Sequence, residues 1–162
     1  YYKRVGFDFD KISFSMLAHE YMEDYQEKSY ACDLHSDVLD VVNKAKNLGF
    51  SQTVLSASKM DYLLKQMETL HVDDLFDSIY GINDIYAKSK VELAHAFKQT
   101  CSLDDEIYFV GDSVHDYEVA KSIGAKCILV TTGHQNRATL ESVNVPVMDS
   151  LMESLDLIYE RD

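Results

Sequence analysis

Hydrophobic residues along this chain are arranged in two alternating ways. Short runs rich in β-branched and aromatic residues occupy positions 52–55, 78–80, 107–110 and 127–130. Between these runs lie longer stretches, starting near Ser36, in which apolar residues recur at helical spacing. Short strands that alternate with amphipathic helices are typical of a parallel sheet with right-handed crossovers. The pattern therefore predicts an α/β fold in which helices flank a parallel sheet.

The predicted helices have recognisable ends. The first helix of the alternating region is expected to run from Ser36, a good N-cap, to Leu48, with Gly49 directly after its end. Further helices are expected from Met60 to Leu70, from Lys90 to about Thr100, from Asp116 to Ile123, from Ala138 and from Ser150, with a short strand at 147–148. No repeat or linker interrupts this region, so it is predicted to be one domain.

A separate amphipathic helix precedes the alternating region. Its apolar stripe falls at i, i+3, i+4, i+7, i+8 and i+11 and consists of Phe14, Leu17, Ala18, Tyr21, Met22 and Tyr25. The opposite face of this helix carries several acidic side chains. Because the helix stands outside the alternation, it is predicted to belong to a small module of its own.

Composition limits the function classes. A chain of 162 residues, 46% of them hydrophobic, can bury the core of one domain. The formal net charge of −13 argues against nucleic-acid binding and repels anionic ligands, so a phosphate ligand would need a local cation. The three cysteines form no close pair, which supports neither disulfides nor structural zinc. The sequence shows no signal peptide or membrane span, and a cytoplasmic location is predicted; the oligomeric state is left open.

Two carboxylates follow the predicted strand at 107–110. Gly111 ends this strand, Asp112 lies on the turn, and Asp116 begins the next helix. Carboxyl ends of parallel strands form the edge at which open α/β sheets bind ligands. Mg²⁺ prefers one or two carboxylates together with waters and phosphate oxygens. These residues are therefore candidates for a metal site, although a Gly-Asp turn followed by a helix N-cap would explain them equally well.

Two further polar residues are predicted at the same edge. Ser56 follows the strand at 52–55, and Lys90 begins a helix after the strand at 78–80. A hydroxyl, an ammonium group and a carboxylate pair are the groups that a phosphoryl-transfer site needs. Taken singly, Ser56 could be a helix-entry residue and Lys90 a solvated lysine of a first helical turn. Their common placement at strand ends favours phosphoryl transfer.

These positions resemble the motifs of the haloacid dehalogenase superfamily, specifically its phosphoglycolate-phosphatase-like hydrolases. Leu55–Ser58 resembles the second motif, Lys90 the third, and residues 111–116 the fourth, which is the most specific. Lys88 competes for the third motif, but the residues that follow Lys90 fit the helix pattern of the family better. The resemblance covers nearly the whole chain.

The resemblance implies a Rossmann-like sheet, a Mg²⁺ cofactor and hydrolysis of a small phosphorylated metabolite through an aspartyl-phosphate. On this mapping Asp112 and Asp116 form the metal site, while Ser56 and Lys90 complete the catalytic set. Ser56, Ala57 and Lys90 would contact the substrate. Ala57 stands where many relatives carry Asn, which leaves the substrate preference open. Paired acids in the fourth motif favour a Mg²⁺-dependent phosphatase over a metal-free dehalogenase.

The first motif of the family, an Asp-x-Asp-Gly-Thr-like segment that carries the nucleophile, has no clear counterpart. Asp8 and Asp10 have the right spacing, but Lys11 and Ile12 replace the Gly and Thr. Residues 1–30 resemble the end of a helical cap inserted after the first motif. We therefore expect a cap remnant at 1–30, a core at 31–162 without its first strand, and a nucleophile upstream of residue 1. Residues 1–162 alone would then be inactive.

The missing first strand has a structural consequence. In the family this strand lies between the strands that end at Ser56 and Asp112, so without it two inner edges lose their hydrogen-bond partners. Each unpaired buried amide costs about 1–3 kcal/mol. Either an accompanying segment or residues 4–8 would have to fill the gap.

Two other function classes fit parts of the pattern. A catalytically inactive binding or regulatory module with the same fold would result directly from an absent nucleophile. A response-regulator receiver domain also places an acid, a hydroxyl and a lysine at strand ends. In receivers, however, the acidic residues come first and the lysine last, whereas the order here is Ser56, Lys90, Asp112. The order of the residues disfavours the receiver.

Overall fold

The computed structural model describes residues 4, 6–8, 13–82 and 89–160. The chain divides into two compact units, Tyr1–Asp33 and Leu34–Asp162. The first unit contains the predicted helix α1 (Phe14–Tyr30), which begins after the N-cap Ser13. Much of its apolar stripe is exposed, including Tyr21 and Tyr25. That this segment is the end of a cap, and that a core follows at 31–162, stays a prediction.

Helices and strands alternate in the second unit, as the sequence predicts. Their order is α2 (Val38–Asn47), β1 (Thr53–Lys59), α3 (Met60–Thr69), β2 (Ser78–Ile82), α4 (Lys90–Thr100), β3 (Tyr108–Gly111), α5 (Val114–Ser122), β4 (Lys126–Val130), α6 (Arg137–Glu141), β5 (Val147–Met148) and α7 (Leu151–Tyr159). Every strand pair is parallel. The predicted α/β fold with helices around parallel strands is confirmed. No helix in the described ranges is long and apolar enough to cross a membrane.

The start of α2 differs from the prediction, whereas its end does not. Asp37, rather than Ser36, occupies the N-cap, and its side chain makes no capping bond within α2. Its carboxylate instead accepts hydrogen bonds from the backbone N–H groups of Leu151 and Met152 at the start of α7, at 3.0 and 3.2 Å. At the other end Gly49 adopts a left-handed φ of 88°, as expected after a helix.

Strand β1 is longer than predicted and contains a bulge. Its pairing with β2 is regular up to Leu55 opposite Tyr80 and resumes at Lys59 opposite Ile82. Three residues of β1 therefore stand opposite Gly81 alone. A Cβ at Gly81 would come within 2.9 Å of the backbone of Met60, so only glycine lets the two segments approach this closely. The bulge displaces Ser56–Ser58 from the regular ladder.

The strands form two separate sheets, with order β1–β2 and β3–β4–β5. Residues 127–130 of β4 are all buried, and Ile128 and Leu129 are almost completely so. Cys127 packs in a core cluster with Ala120, Leu129 and Leu140. Burial, together with the nearby negative charge of Asp116, raises the pKa of the Cys127 thiol to about 12.

A cleft of about 550 Å³ lies along β1 and β3 and is lined by residues of both strands, among them Leu55 and Phe109. Within the described ranges β1 pairs only with β2, and β3 pairs only with β4, so each leaves one edge unpaired. The cleft extends from the residues that precede both strands to Lys90. None of residues 4 and 6–8 belongs to a strand, and that a segment fills this gap stays a prediction.

Candidate active site

The turn between β3 and α5 is organised by hydrogen bonds to Asp116. Ser113 is the N-cap of α5, and its Oγ accepts a bond of 3.2 Å from the backbone N–H of Asp116. One carboxylate oxygen of Asp116 accepts in return from the backbone N–H groups of Asp112 and Ser113, each at 3.1 Å. This capping box fixes the turn. A Cβ at Gly111 would overlap the Asp116 side chain, which explains the glycine before the turn.

The other carboxylate oxygen of Asp116 is bonded to Lys90. The distance from Lys90 Nζ to Asp116 Oδ1 is 2.6 Å, and the two side chains are only 17% and 4% exposed. Burial by itself would raise the pKa of Asp116. The hydrogen bonds from Lys90 and Ser113 and the charge of Lys90 outweigh it and hold that pKa below its ordinary value. Lys90 also lies 5.6 Å from the centre of the Phe109 ring.

Asp112 has a different environment. Its side chain is 40% exposed. Its Oδ2 lies 3.1 Å from His134 Nδ1 and 3.4 Å from the backbone nitrogen of the same residue. A Cβ at Gly133 would overlap the Asp112 carboxylate. Asp112 therefore faces the loop that follows β4, whereas Asp116 faces α4.

The predicted substrate-contacting residues of β1 lie in its bulge. Ser56 Oγ accepts a hydrogen bond of 3.1 Å from the backbone N–H of Ser58, and Ala57 is exposed. Leu55, Val91 and Phe109 pack against the core cluster that joins α4 and α5. Leu55 precedes Ser56, Val91 follows Lys90, and Phe109 belongs to the strand that leads to Asp112. The predicted site residues therefore share one region of the second unit.

The structure brings some predicted residues into contact and leaves others apart. Lys90, Asp116 and the backbone of Asp112 form one hydrogen-bonded cluster. Within the described ranges no hydrogen bond joins Ser56 or Ala57 to that cluster, and their roles stay predictions. Of the competing candidates, Lys88 and Asp10 lie outside the described residues, and Asp8 is exposed.

Only part of a magnesium site is present in the described ranges. They contain no group of three or more His, Cys, Asp or Glu side chains that could hold a metal ion. Both oxygens of Asp116 already accept bonds from protein donors, whereas Asp112 is half-exposed. The chemistry of the site thus fits Mg²⁺ through Asp112, with a supporting position for Asp116 and further oxygens from elsewhere. The predicted direct ligation by Asp116 stays untested.

The sequence analysis did not identify two residues that contact the site carboxylates, Ser113 and His134. Ser113 could have been found, because a serine three residues before an acidic residue at a helix start is a capping-box signal. His134 could not, since it lies 22 residues from Asp112 and no local pattern connects them.

Comparisons with known proteins agree with the family resemblance of the sequence. A sequence profile of the haloacid dehalogenase-like hydrolase family matches residues 3–130, a range that includes Ser56, Lys90, Asp112 and Asp116. No curated protein matches the sequence.

Several solved structures share the fold. A haloacid dehalogenase-like family hydrolase from Streptococcus pneumoniae is 20% identical, with a TM-score of 0.83. The match covers 96% of this chain and 73% of the pneumococcal chain. A predicted phosphatase from Clostridium acetobutylicum is 20% identical with a TM-score of 0.80, covering 98% and 74%. A predicted phosphoglycolate phosphatase from Haemophilus somnus is 18% identical with a TM-score of 0.77, covering 97% and 72%. At these identities the likeness shows the fold, and the family follows from the sequence profile. The chain belongs to the haloacid dehalogenase-like hydrolase family.

Proposed function

We propose that this protein is a Mg²⁺-dependent phosphomonoester hydrolase that acts on a small phosphorylated metabolite through an aspartyl-phosphate. The observation that carries the proposal is the buried Lys90–Asp116 pair next to the half-exposed Asp112, at the end of β3 where α/β sheets bind their ligands. Structural neighbours described as a phosphatase and a phosphoglycolate phosphatase support this class of substrate. The cytoplasmic location stays a prediction.

Electrostatics supports the need for a metal ion. The chain carries a formal net charge of −13, and the ammonium group of Lys90 is already paired with Asp116. A phosphate ester therefore meets little uncompensated positive charge among these residues. Mg²⁺, when bound, would supply charge neutralisation for the phosphoryl oxygens. Asp112 is the residue of this chain that would hold it.

The remaining residues have positioning roles in this proposal. Asp116 holds the Lys90 ammonium group at the edge of the cleft, where it can bind both a phosphoryl oxygen and the nucleophile. Ser56 would donate its hydroxyl hydrogen to another phosphoryl oxygen while its Oγ still accepts from the backbone N–H of Ser58. Ala57, exposed beside Ser56, would contact the substrate. Such preoriented donors act on charge that develops in the transition state.

The nucleophile is proposed to lie upstream of Tyr1, on a strand that occupies the cleft between β1 and β3. Among the residues that the structure describes, both strands leave an edge unpaired there, and both have parallel partners on their other side. A strand parallel to both would complete one continuous sheet and bring its carboxyl end to Lys90. An aspartate at that end would attack phosphorus, the bond between phosphorus and the ester oxygen would break, and this oxygen would take up a proton from solvent and leave as the alcohol. Water would then hydrolyse the acyl phosphate to inorganic phosphate.

The experiment is a phosphatase assay on the intact gene product with Mg²⁺ and p-nitrophenyl phosphate. Turnover is expected in the intact protein and is expected to be lost in Asp112→Ala and in Lys90→Met. Lys121→Met is the matched control, because Lys121 is exposed near the end of α5 and lies outside the cluster. A folded intact protein without activity towards any phosphomonoester would contradict the proposal.

The second candidate is an inactive binding module, and one observation favours it. In the described part of the site, both carboxylate oxygens of Asp116 accept hydrogen bonds, and Asp112 joins the cluster through its backbone N–H. Asp116 is thus not free to attack phosphorus, and Asp112 has the metal-binding role in this proposal. Residues 1–162 alone are therefore expected to hydrolyse no aryl phosphate. Activity that disappears in Asp8→Asn would instead identify the segment at Asp8 and Asp10 as the first motif.

A further inference from the structure

The loop between β4 and α6 encloses the carboxylate of Asp112. We infer that Gly133 and His134 of this loop are positioning residues that orient Asp112 for a divalent cation. The inference rests on the proposed function, because it assumes that Asp112 is the metal-binding carboxylate. It gives a role to the polar segment 131–137, to which the sequence motifs assign none.

Two contacts of His134 converge on one oxygen. Asp112 Oδ2 lies 3.1 Å from the ring Nδ1 and 3.4 Å from the backbone nitrogen of His134. Within the described ranges, no hydrogen bond to Oδ1 of Asp112 is present. The loop thus holds one oxygen of the carboxylate and leaves the other for a ligand. An Nδ1–H group that donates to Oδ2 would suit this arrangement.

Gly133 makes the approach possible. A Cβ on this residue would overlap three atoms of the Asp112 side chain, namely Cβ, Cγ and Oδ2. The backbone of the loop therefore packs directly against the carboxylate. Any other residue at 133 would have to displace either the loop or Asp112, and both changes would alter the direction of the carboxylate.

The loop is anchored on both sides of these two residues. The backbone N–H of Thr131 donates to the carbonyl of Met148 at 3.0 Å. The Gln135 side-chain oxygen accepts from the backbone N–H of Val114, the first residue of α5, at 2.9 Å. Gln135 thus ties the loop to the same turn that carries Asp112. A loop fixed at these points can hold His134 in a constant position relative to the carboxylate.

A fixed carboxylate should bind a cation better than a mobile one. A ligand that is already oriented loses less conformational freedom on binding, and partners behind metal ligands typically contribute 10–100-fold to metal affinity. We therefore expect His134→Ala to weaken Mg²⁺ binding by about 10–100-fold. His134→Asn should restore most of the affinity, because its side-chain amide can donate from nearly the position of Nδ1.

The test is calorimetric titration of the intact protein with Mg²⁺ alone, for the wild type, His134→Ala, His134→Asn, Gly133→Ala and Asp112→Ala. His115→Ala is the matched control, because His115 is an exposed histidine of α5 that contacts Glu118 instead. Thermal unfolding of each variant shows that it is folded. If Gly133→Ala does not fold, the comparison of His134→Ala with His134→Asn tests the inference by itself.

The outcomes separate this inference from the proposed function. Weak binding in His134→Ala with recovery in His134→Asn supports the inference. Wild-type affinity in both His134→Ala and Gly133→Ala overturns it, while loss of binding in Asp112→Ala leaves the proposed function intact. Equal weakening in His134→Ala and His134→Asn overturns the donor role. A folded wild type that binds no Mg²⁺ refutes the proposed function, and the inference with it.

Discussion

The two ends of the segment 112–116 present the same side chain in opposite environments. At one end Asp116 is 4% exposed and has both oxygens bonded to Lys90, Ser113 and the backbone of the turn. At the other end Asp112 is 40% exposed and contacts the Gly133–His134 loop. Spacing alone suggests a pair of equivalent ligands. The environments instead separate a carboxylate that builds the site from one that is available for chemistry.

The difference follows from position in the fold. Asp116 stands in the first turn of α5, where the capping box and Lys90 of α4 surround it. A buried carboxylate is tolerated only when it is paired and fully hydrogen-bonded. Asp112 precedes the helix, on the turn itself, where its side chain is 40% exposed and contacts the loop after β4. We therefore expect substitutions at Asp112 to affect ligand binding and those at Asp116 to affect stability.

The largest expected effect is the loss of Mg²⁺ binding in Asp112→Ala of the intact protein. The substitution removes the half-exposed carboxylate of the turn between β3 and α5. The free energy of unfolding should change by less than about 1 kcal/mol, as is usual for partly exposed positions. Calorimetric titration and urea unfolding measure the two quantities. Unchanged Mg²⁺ affinity would remove Asp112 from the metal site.

The next effect is on stability. Asp116→Asn should lower the free energy of unfolding by about 3–5 kcal/mol, since it leaves the buried Lys90 ammonium group uncompensated. In the double variant Asp116→Asn/Lys90→Met the loss should be smaller than the sum of the two single losses. Urea unfolding of all four proteins gives the coupling energy. If Asp116→Asn is no less stable than Asp112→Ala, the two carboxylates do not differ as described.

A smaller effect is expected at the bulge of β1. Ser56→Ala should lower turnover of the intact protein by about 100-fold, the scale for losing one positioned hydrogen-bond donor. Ser58→Ala is the matched control in the same bulge. Steady-state kinetics with an aryl phosphate checks both variants. A fully active Ser56→Ala would show that the Ser56 hydroxyl has only its structural bond to the backbone of Ser58.

The smallest effect is the dependence of stability on pH. The pKa of Asp116 is lowered in the folded protein, so its contribution is present above the pKa of the unfolded chain and is lost as the pH falls through the folded value. Stability should therefore decrease below about pH 4. Unfolding curves between pH 6 and pH 3 should fall less steeply for Asp116→Asn. Equal slopes would mean that Asp116 is not stabilised as a carboxylate in the fold.

Local patterns predicted most of the fold. The helices that begin at Met60 and Lys90, and even the two-residue strand Val147–Met148, lie where periodicity and cap residues indicate. One error is local, since α5 begins at Val114 after the N-cap Ser113 and not at Asp116. Two others involve distant partners. The carboxylate of Asp37 accepts hydrogen bonds from the first turn of α7, more than a hundred residues away. Local cap preference therefore placed the start of α2 wrongly, at Ser36. The bulge after Leu55 depends on the approach of Gly81, which the sequence of β1 does not encode.

The candidate site was predictable as a set of residues but not as a set of contacts. Lys90, Asp112 and Asp116 stand out because they follow strands in a motif order. That Lys90 bonds to Asp116, and that His134 reaches Asp112, depends on how α4 and the loop after β4 pack around the turn. Residue type and spacing carry no information about which donor reaches which oxygen, so these roles required the three-dimensional arrangement.

The burial of Cys127 makes the labelling rate of this thiol a measure of how often the core opens. Thiolates, not thiols, react with alkylating reagents, and the pKa of Cys127 is raised to about 12. Its modification must therefore wait until the cluster with Leu129 and Leu140 opens. Cys32, which is exposed, reports the unhindered rate on the same molecule. The ratio of the two labelling rates measures how often the core around β4 opens, without any substitution in the protein.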